Sequence, residues 1–250
     1  MNRRLSTRNI RLILRYDGTN YAGWQFQKNA KTLQQVLEGA LEKITGAKVK
    51  LTGSGRTDSG VHAKYQVANF KTKSRLSLGS LKAAINSYIP KDILVTAIKE
   101  VSLKFDSQRH AKLKHYRYAV TTSRFTDPFL RHFVARFSYQ LNISSMRRAA
   151  KALSGRHDFK PFQASGSVER NTVRTIKKIR IGENGDLVFI DIWADGFLYN
   201  MARTMAGTLL EIGRGKLPER RVKEILLKKD RRLVGPTAPA KGLCLMKVEY

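Results

Sequence analysis

Apolar and polar positions alternate at the start of the chain: Ile10, Leu12, Leu14 and Tyr16 fall on one side of a strand, Arg11 and Arg15 on the other. Asp17-Gly18 ends that strand in a turn. Thr32 and Gln35 have the spacing of a capping box, and Leu33, Val36, Leu37, Ala40, Leu41 and Ile44 then recur at helical intervals until Gly46. The pattern predicts further strands over 48–52, 66–72 and 93–101, with a helix over 78–88. In the second half it predicts strands over 114–121, 173–181, 187–194 and 243–249, and helices over 145–153, 197–212 and 219–227. Hairpin-like strands interrupted by single helices indicate an α+β protein, its mixed or antiparallel sheets flanked by helices. We expect two domains, residues 1–104 and 105–250, the first carrying a glycine-rich loop between two strands. No low-complexity linker separates them, so they are expected to share an interface, and a cleft there is a common place for an active site.

The 250 residues, 42% of them hydrophobic, suffice to bury a core. Charge changes the picture more: 48 Lys and Arg against 19 Asp and Glu leave a formal +29. Such an excess repels itself within a fold and is best explained by a polyanionic partner, against the alternative of solvated lysine faces. The cations cluster at Lys71, Lys73 and Arg75; at Lys104, Arg109, Lys112, Lys114 and Arg117; at Arg170, Arg174, Lys177, Lys178 and Arg180; and across 214–232. No long amphipathic apolar helix accompanies them, so RNA or DNA fits better than a membrane surface. A lone cysteine, Cys244, excludes an intrachain disulfide and a cysteine metal cage. Together with the absence of an apolar leader in residues 1–8 and of any stretch of membrane-spanning length, it leads us to expect a soluble cytoplasmic protein.

Candidate chemistry centres on Gly53-Ser54-Gly55-Arg56-Thr57-Asp58-Ser59-Gly60-Val61-His62-Ala63. A phosphate-binding loop would need Gly-Lys-Ser/Thr opening a helix, and a dinucleotide fingerprint would also lead into a helix; here a strand-like segment follows. An aspartate beside an arginine stays ionised and suits a nucleophile or general base, whereas the structural alternative is a polar turn in which Asp58 caps backbone amides. His62, His110, His115, His132 and His157 lack metal-ligand spacing, and His157-Asp158 reads as a helix-terminating loop. Along 114–118 rings and cations alternate, with Tyr116 and Tyr118 on one face, His115 and Arg117 on the other. Those tyrosines are open to two readings: packing in a core, or stacking on an extruded base while arginine holds phosphate. Arg203 lies on an otherwise apolar helical stretch and needs an anionic partner, for which Asp58 is the attractive candidate.

The block from Gly55 to Ala63 resembles the signature of the TruA family of tRNA pseudouridine synthases. Tyr16-Asp17-Gly18-Thr19 with Tyr21-Ala22-Gly23-Trp24-Gln25, residues 105–111 followed by Tyr116-Arg117-Tyr118, Gly155-Arg156-His157-Asp158-Phe159, residues 197–207 and Ala238-Pro239-Ala240-Lys241-Gly242-Leu243 resemble its other blocks in order and spacing. The resemblance spans nearly the whole chain. It implies isomerisation of uridine to pseudouridine in the anticodon stem-loop of tRNA, usually at positions 38, 39 and 40, by a homodimer without cofactor or metal. By the family pattern Asp58 is catalytic, Arg56 assists extrusion of the target nucleotide, and Tyr116 stacks on its base. Arg203 pairs with the aspartate and Leu243 forms an apolar wall. The chain departs from the pattern at Ala202, where a larger aliphatic residue is usual, and at Ala240-Lys241, which replaces the more frequent Pro-Glu. The rival to an enzyme is a non-catalytic RNA-binding protein using the same basic surface, which has no need of a carboxylate in its most cationic region.

Overall fold

The computed structural model describes residues 6–166 and 170–250, so Met1–Leu5 of the segment read for a leader lie outside it. In chain order the elements are β1 (Arg8–Tyr16), α1 (Leu33–Thr45), β2 (Thr52–Gly53), β3 (His62–Thr72), α2 (Leu78–Tyr88), β4 (Ile93–Val101), β5 (Leu113–Thr121), β6 (Ala135–Arg136), α3 (Ile143–Lys151), β7 (Gly155–Asp158), β8 (Val173–Asn184), β9 (Leu187–Ala194), α4 (Met201–Gly213), α5 (Arg221–Lys228) and β10 (Leu243–Glu249). The chain clusters into two compact units, Met1–Lys112 with Leu245–Tyr250, and Leu113–Cys244.

In the first unit β1 lies between β3 and β4, antiparallel to both. The apolar positions read from the sequence, Ile10, Leu12 and Leu14, are fully buried. β10 follows on the far side of β3, and the short β2 pairs with β3. Helix α1 begins where expected: the Thr32 hydroxyl accepts the Gln35 N–H, and Gly46 closes the helix in the left-handed region. The strand expected over 48–52 is reduced to Thr52–Gly53. Helix side chains satisfy the backbone there instead, with Glu38 Oε1 accepting from Leu51 N at 2.8 Å and Gln34 Nε2 donating to Leu51 O at 3.2 Å. Conversely β3 starts at His62, four residues before its expected start at 66.

In the second unit the strands run β5-β9-β8-β7, all antiparallel, with β6 parallel to β5, so the architecture is a mixed α+β one. Tyr116, Tyr118 and Val120 register with Ile192, Ile190 and Val188, and all six are buried. Helices α3 and α4 pack against this sheet and each other. Within α4 every residue is buried except Arg203, which is half-buried. The helix starts at Met201, four residues later than the apolar spacing suggests, because Asn200 adopts φ 59° and breaks the helical run before it. The opposite sheet face carries His115, Arg117, Phe189, Asp191 and Trp193; buried Asp191 accepts 2.6 Å from His115 Nε2 and a two-toothed contact from Arg117 at 2.9 and 3.0 Å. His157-Asp158 proves to be part of a strand, β7, and not a helix-ending loop. The β8 ladder captures it, and Asp158 turns to Thr172 Oγ1 at 2.6 Å and Lys229 Nζ at 2.9 Å.

Candidate active site

Arg56 and Asp58 sit together on the connection from β2 to β3, and the chain around them is held from two directions. From below, Ser54 N donates to Val67 O at 2.7 Å, the Ser54 hydroxyl to Gln66 Oε1 at 2.6 Å, and Gln66 Nε2 to Gly55 O at 2.8 Å. From the side comes the 16–24 segment. Tyr16 Oη lies 2.9 Å from Thr57 Oγ1, and Trp24 N donates to Thr57 O at 2.9 Å. Tyr21 O accepts from Gly60 N at 3.3 Å and from the Ser59 hydroxyl at 3.2 Å. Thr57 is buried as a result, while Asp58 is half-buried and Arg56 exposed. The loop therefore holds a half-buried carboxylate residue and an exposed arginine on a fixed backbone.

Two glycines outside the loop make this fit possible. A Cβ at Gly18 would lie 2.0 Å from Val61 O, and one at Gly23, where φ is +89°, would lie 2.6 Å from Thr57 O. The loop's end is closed by buried His62, whose Nδ1 accepts from Gly18 N at 3.0 Å. Tyr21 is itself fixed: its hydroxyl donates to Asp92 at 2.5 Å, and burial with that bond pushes its ionisation above the usual phenol range.

The other three residues singled out from the sequence belong to the second unit. Tyr116 is 5% exposed, its ring edge-on to Phe197 with centroids 4.9 Å apart. Arg203 is anchored at both ends. Its Nε donates to Ala238 O at 2.8 Å and its Nη1 to Asn200 Oδ1 at 2.7 Å, while its own carbonyl accepts from Ala238 N at 3.2 Å. The left-handed turn at Asn200 that delays α4 thus supplies one of the arginine's supports. Leu243 is 4% exposed at the start of β10, just after a segment tied to β5 through Tyr118 Oη and Pro239 O at 3.0 Å. Tyr118 is a core residue with no exposure, and Arg117, read as a possible phosphate ligand, is engaged with Asp191.

Sequence reasoning missed Tyr16, Gln66, Gly18 and Gly23 as builders of the loop, and Asn200 and Phe197 as builders around Arg203 and Tyr116. Their signal was present only as turn residues and family blocks, since the contacts they make reach from 50 residues apart for Tyr16 and Gln66 to Tyr116 and Phe197 on distant parts of the chain. Among the described residues no group of three or more His, Cys, Asp or Glu is placed to hold a metal ion, and no helix is long and apolar enough to cross a membrane.

Residues 12–108 and 149–250 match the family model described as tRNA pseudouridine synthase. A protein named tRNA pseudouridine synthase A from Thermoanaerobacter sp. (strain X514) is 48% identical over 243 residues, 97% of this chain and 100% of that relative. One of the same name from Acetivibrio thermocellus is 45% identical over the same shares. Among solved structures, a Cbf5-Nop10-Gar1 complex aligns over 94% of this chain and 57% of that chain at 11% identity and a TM-score of 0.35.

Proposed function

The chain belongs to the family of tRNA pseudouridine synthases, and we propose that it rebuilds uridine as pseudouridine in the anticodon stem-loop of tRNA, at positions 38, 39 and 40, with Asp58 as its catalytic carboxylate. The observation that carries this reading is the half-buried Asp58 on a loop fixed at Thr57, within a chain matched to the family over nearly its full length.

The chemistry is an isomerisation, so atoms balance within the substrate. The base must first leave its stack, at a cost of a few kcal/mol. The bond between N1 and C1′ then breaks, the uracil turns over while enclosed, C5 bonds to C1′, and the proton lost from C5 is balanced by one gained at N1. Asp58 serves this by attacking C1′, adding to C6 or removing the C2′ proton. Its half-buried position suits any of the three, because the carboxylate is reachable while its backbone cannot drift. Arg56, exposed two residues away, enters the stack as the nucleotide leaves. Tyr116, Arg203 and Leu243 bind substrate: the tyrosine ring supplies a stacking surface, the guanidinium a fixed charge, and the leucine an apolar wall. The reaction as written consumes no cofactor.

The protein acts in the cytoplasm as a homodimer. Two subunits of charge +29 repel one another, so their interface is expected to be substantially apolar or salt-dependent. Phe125 and Phe129 in the second unit, 74% and 89% exposed, supply surface of that kind.

The test is to incubate the protein with unmodified tRNA, without added metal, and to map pseudouridine at nucleotide resolution. Product in the anticodon arm is expected. No product from the unaltered protein would overturn the activity, and product from Asp58→Ala would overturn the residue assignment.

A further inference from the structure

A groove in the first unit is lined by none of the residues that the reaction above uses. Its volume is about 610 Å³, and Lys28, Asn29 and Lys31 of the 28–31 turn, Gln35 and Lys43 of α1 and Tyr88 at the end of α2 line it. The turn is pinned in place. Gln27 and Ala30 bridge across its base, Ala22 N donates to Lys31 O at 2.9 Å, and Gln27 Nε2 donates to Ala22 O at 2.9 Å. The Lys31 ammonium stands over the Tyr21 ring, 5.1 Å from its centroid, and the Tyr21 carbonyl accepts from Gly60 and Ser59 of the Asp58 loop. The groove thus adjoins the segment that fixes that loop.

No Asp or Glu lines the groove. Its three lysines are exposed, and among the described residues none of them forms an ion pair. Exposed lysines by themselves are ordinary on a chain of this charge. Gly39 sets the place apart. It lies in the middle of α1, one turn after Gln35 and one turn before Lys43 on the same helix face, and it lines the groove with them. Only proline is less favourable in a helix interior than glycine. Neither backbone nor packing calls for glycine here: its φ is not in the left-handed region, and an added Cβ would meet no atom within 4 Å. What the missing side chain provides is a bare strip of helix in the groove, against which another chain's backbone can lie closely.

We propose that this groove binds the sugar-phosphate backbone of the tRNA outside the nucleotide on which Asp58 acts, with the strand lying over Gly39 and its phosphates held by Lys28, Lys31 and Lys43. A groove lined by exposed residues does not enclose a small ligand, but it admits a chain that passes through. Lysines serve there as point charges that neutralise phosphate without reading sequence. Asn29 and Gln35 add donors for phosphate and sugar oxygens, and the Tyr88 ring, 57% exposed, offers a base or ribose an apolar face. This inference rests on the tRNA-directed reading above but concerns binding and not the isomerisation.

The experiment measures equilibrium binding of an unmodified tRNA transcript across a salt series, with urea unfolding in parallel. The proteins are the unaltered chain, Gly39→Ala, Gly39→Gln, the pair Lys28→Gln with Lys43→Gln, and a pair of equal charge elsewhere in the unit, Lys48→Gln with Lys50→Gln. Both Gly39 variants raise the urea midpoint, because alanine and glutamine favour a helix over glycine. Both also weaken binding, Gly39→Gln by about tenfold and Gly39→Ala by less, as the added side chain fills the strip the strand occupies. The groove pair weakens binding about tenfold and lowers the salt slope by about 2, one for each lysine, while the distant pair leaves both nearly unchanged. A lower urea midpoint in Gly39→Ala would show that the fold needs the glycine and would overturn the proposal. Unchanged tRNA affinity in Gly39→Gln, or equal losses in the two lysine pairs, would overturn it too. Binding of poly-glutamate or of inorganic phosphate that disappears in the groove pair while tRNA affinity holds would assign a different ligand, with the same consequence. Pseudouridine is mapped separately: a protein that forms it while these variants bind normally loses only this inference, and one that binds here without forming it loses only the assigned activity.

Discussion

Thr57 does more to place Asp58 than its charged neighbour Arg56 does, because its hydroxyl and its carbonyl are both held by the 16–24 segment. Tyr16→Phe removes one of those holds, a hydrogen bond between buried partners, and should lower stability by about 1 kcal/mol in urea unfolding. A larger effect on turnover than on tRNA affinity is expected, since the bond positions the loop that bears Asp58, the carboxylate proposed as catalytic, and not the RNA surface. Gly23→Ala is more severe. The added methyl meets Thr57 O at 2.6 Å in a backbone conformation alanine resists, so the loop must shift, and turnover should fall by about a hundredfold, the scale expected for a misplacement near 1 Å. Single-turnover rates for the two variants check both statements. At this scale the sequence was informative about which residues carry charge, but not about the glycines at 18 and 23 that admit the loop or the side chains that hold it. Tyr16 and Gln66 look like ordinary strand residues until the fold brings them to the loop.

Elements were legible where their causes are local. Thr32 and Gly46 bound α1 because capping is a matter of a few adjacent residues, and Thr32→Ala should cost about 1 kcal/mol of stability without altering the loop that bears Asp58. The 48–52 strand and the start of α4 were misjudged because distant or unusual partners decide them: Glu38 takes the Leu51 amide, and Asn200 adopts a left-handed turn that periodicity does not reveal. The pairing of β5 with β9 has a pH consequence of its own. Burial raises the Asp191 carboxyl, but the hydrogen bonds from His115 and Arg117 outweigh it and leave it below the ordinary value. Folding therefore gains stability from this group above the unfolded carboxylate value near 3.9 and loses it as pH falls through the lower, folded value. Urea midpoints compared between pH 7 and pH 3 should drop more for the unaltered protein than for Asp191→Asn, which has no carboxylate to protonate.

For the whole molecule, net charge was the most readable property and predicts the most general behaviour. A surface of +29 binding a tRNA through many phosphates should show an affinity that falls steeply with salt, with a log–log slope of about −5 or steeper. That slope does not distinguish an enzyme from an RNA-binding protein. Asp58 does, because only an enzyme requires it. The most direct measurement compares nucleotide-resolution pseudouridine maps of one unmodified tRNA after treatment with the unaltered protein and with Asp58→Ala, alongside the affinity of each for that tRNA. The account predicts anticodon-arm pseudouridine from the first protein only, with affinities alike within about threefold, a difference well under 1 kcal/mol. Pseudouridine formed by Asp58→Ala, or none formed by the unaltered protein that binds the same tRNA, would contradict it.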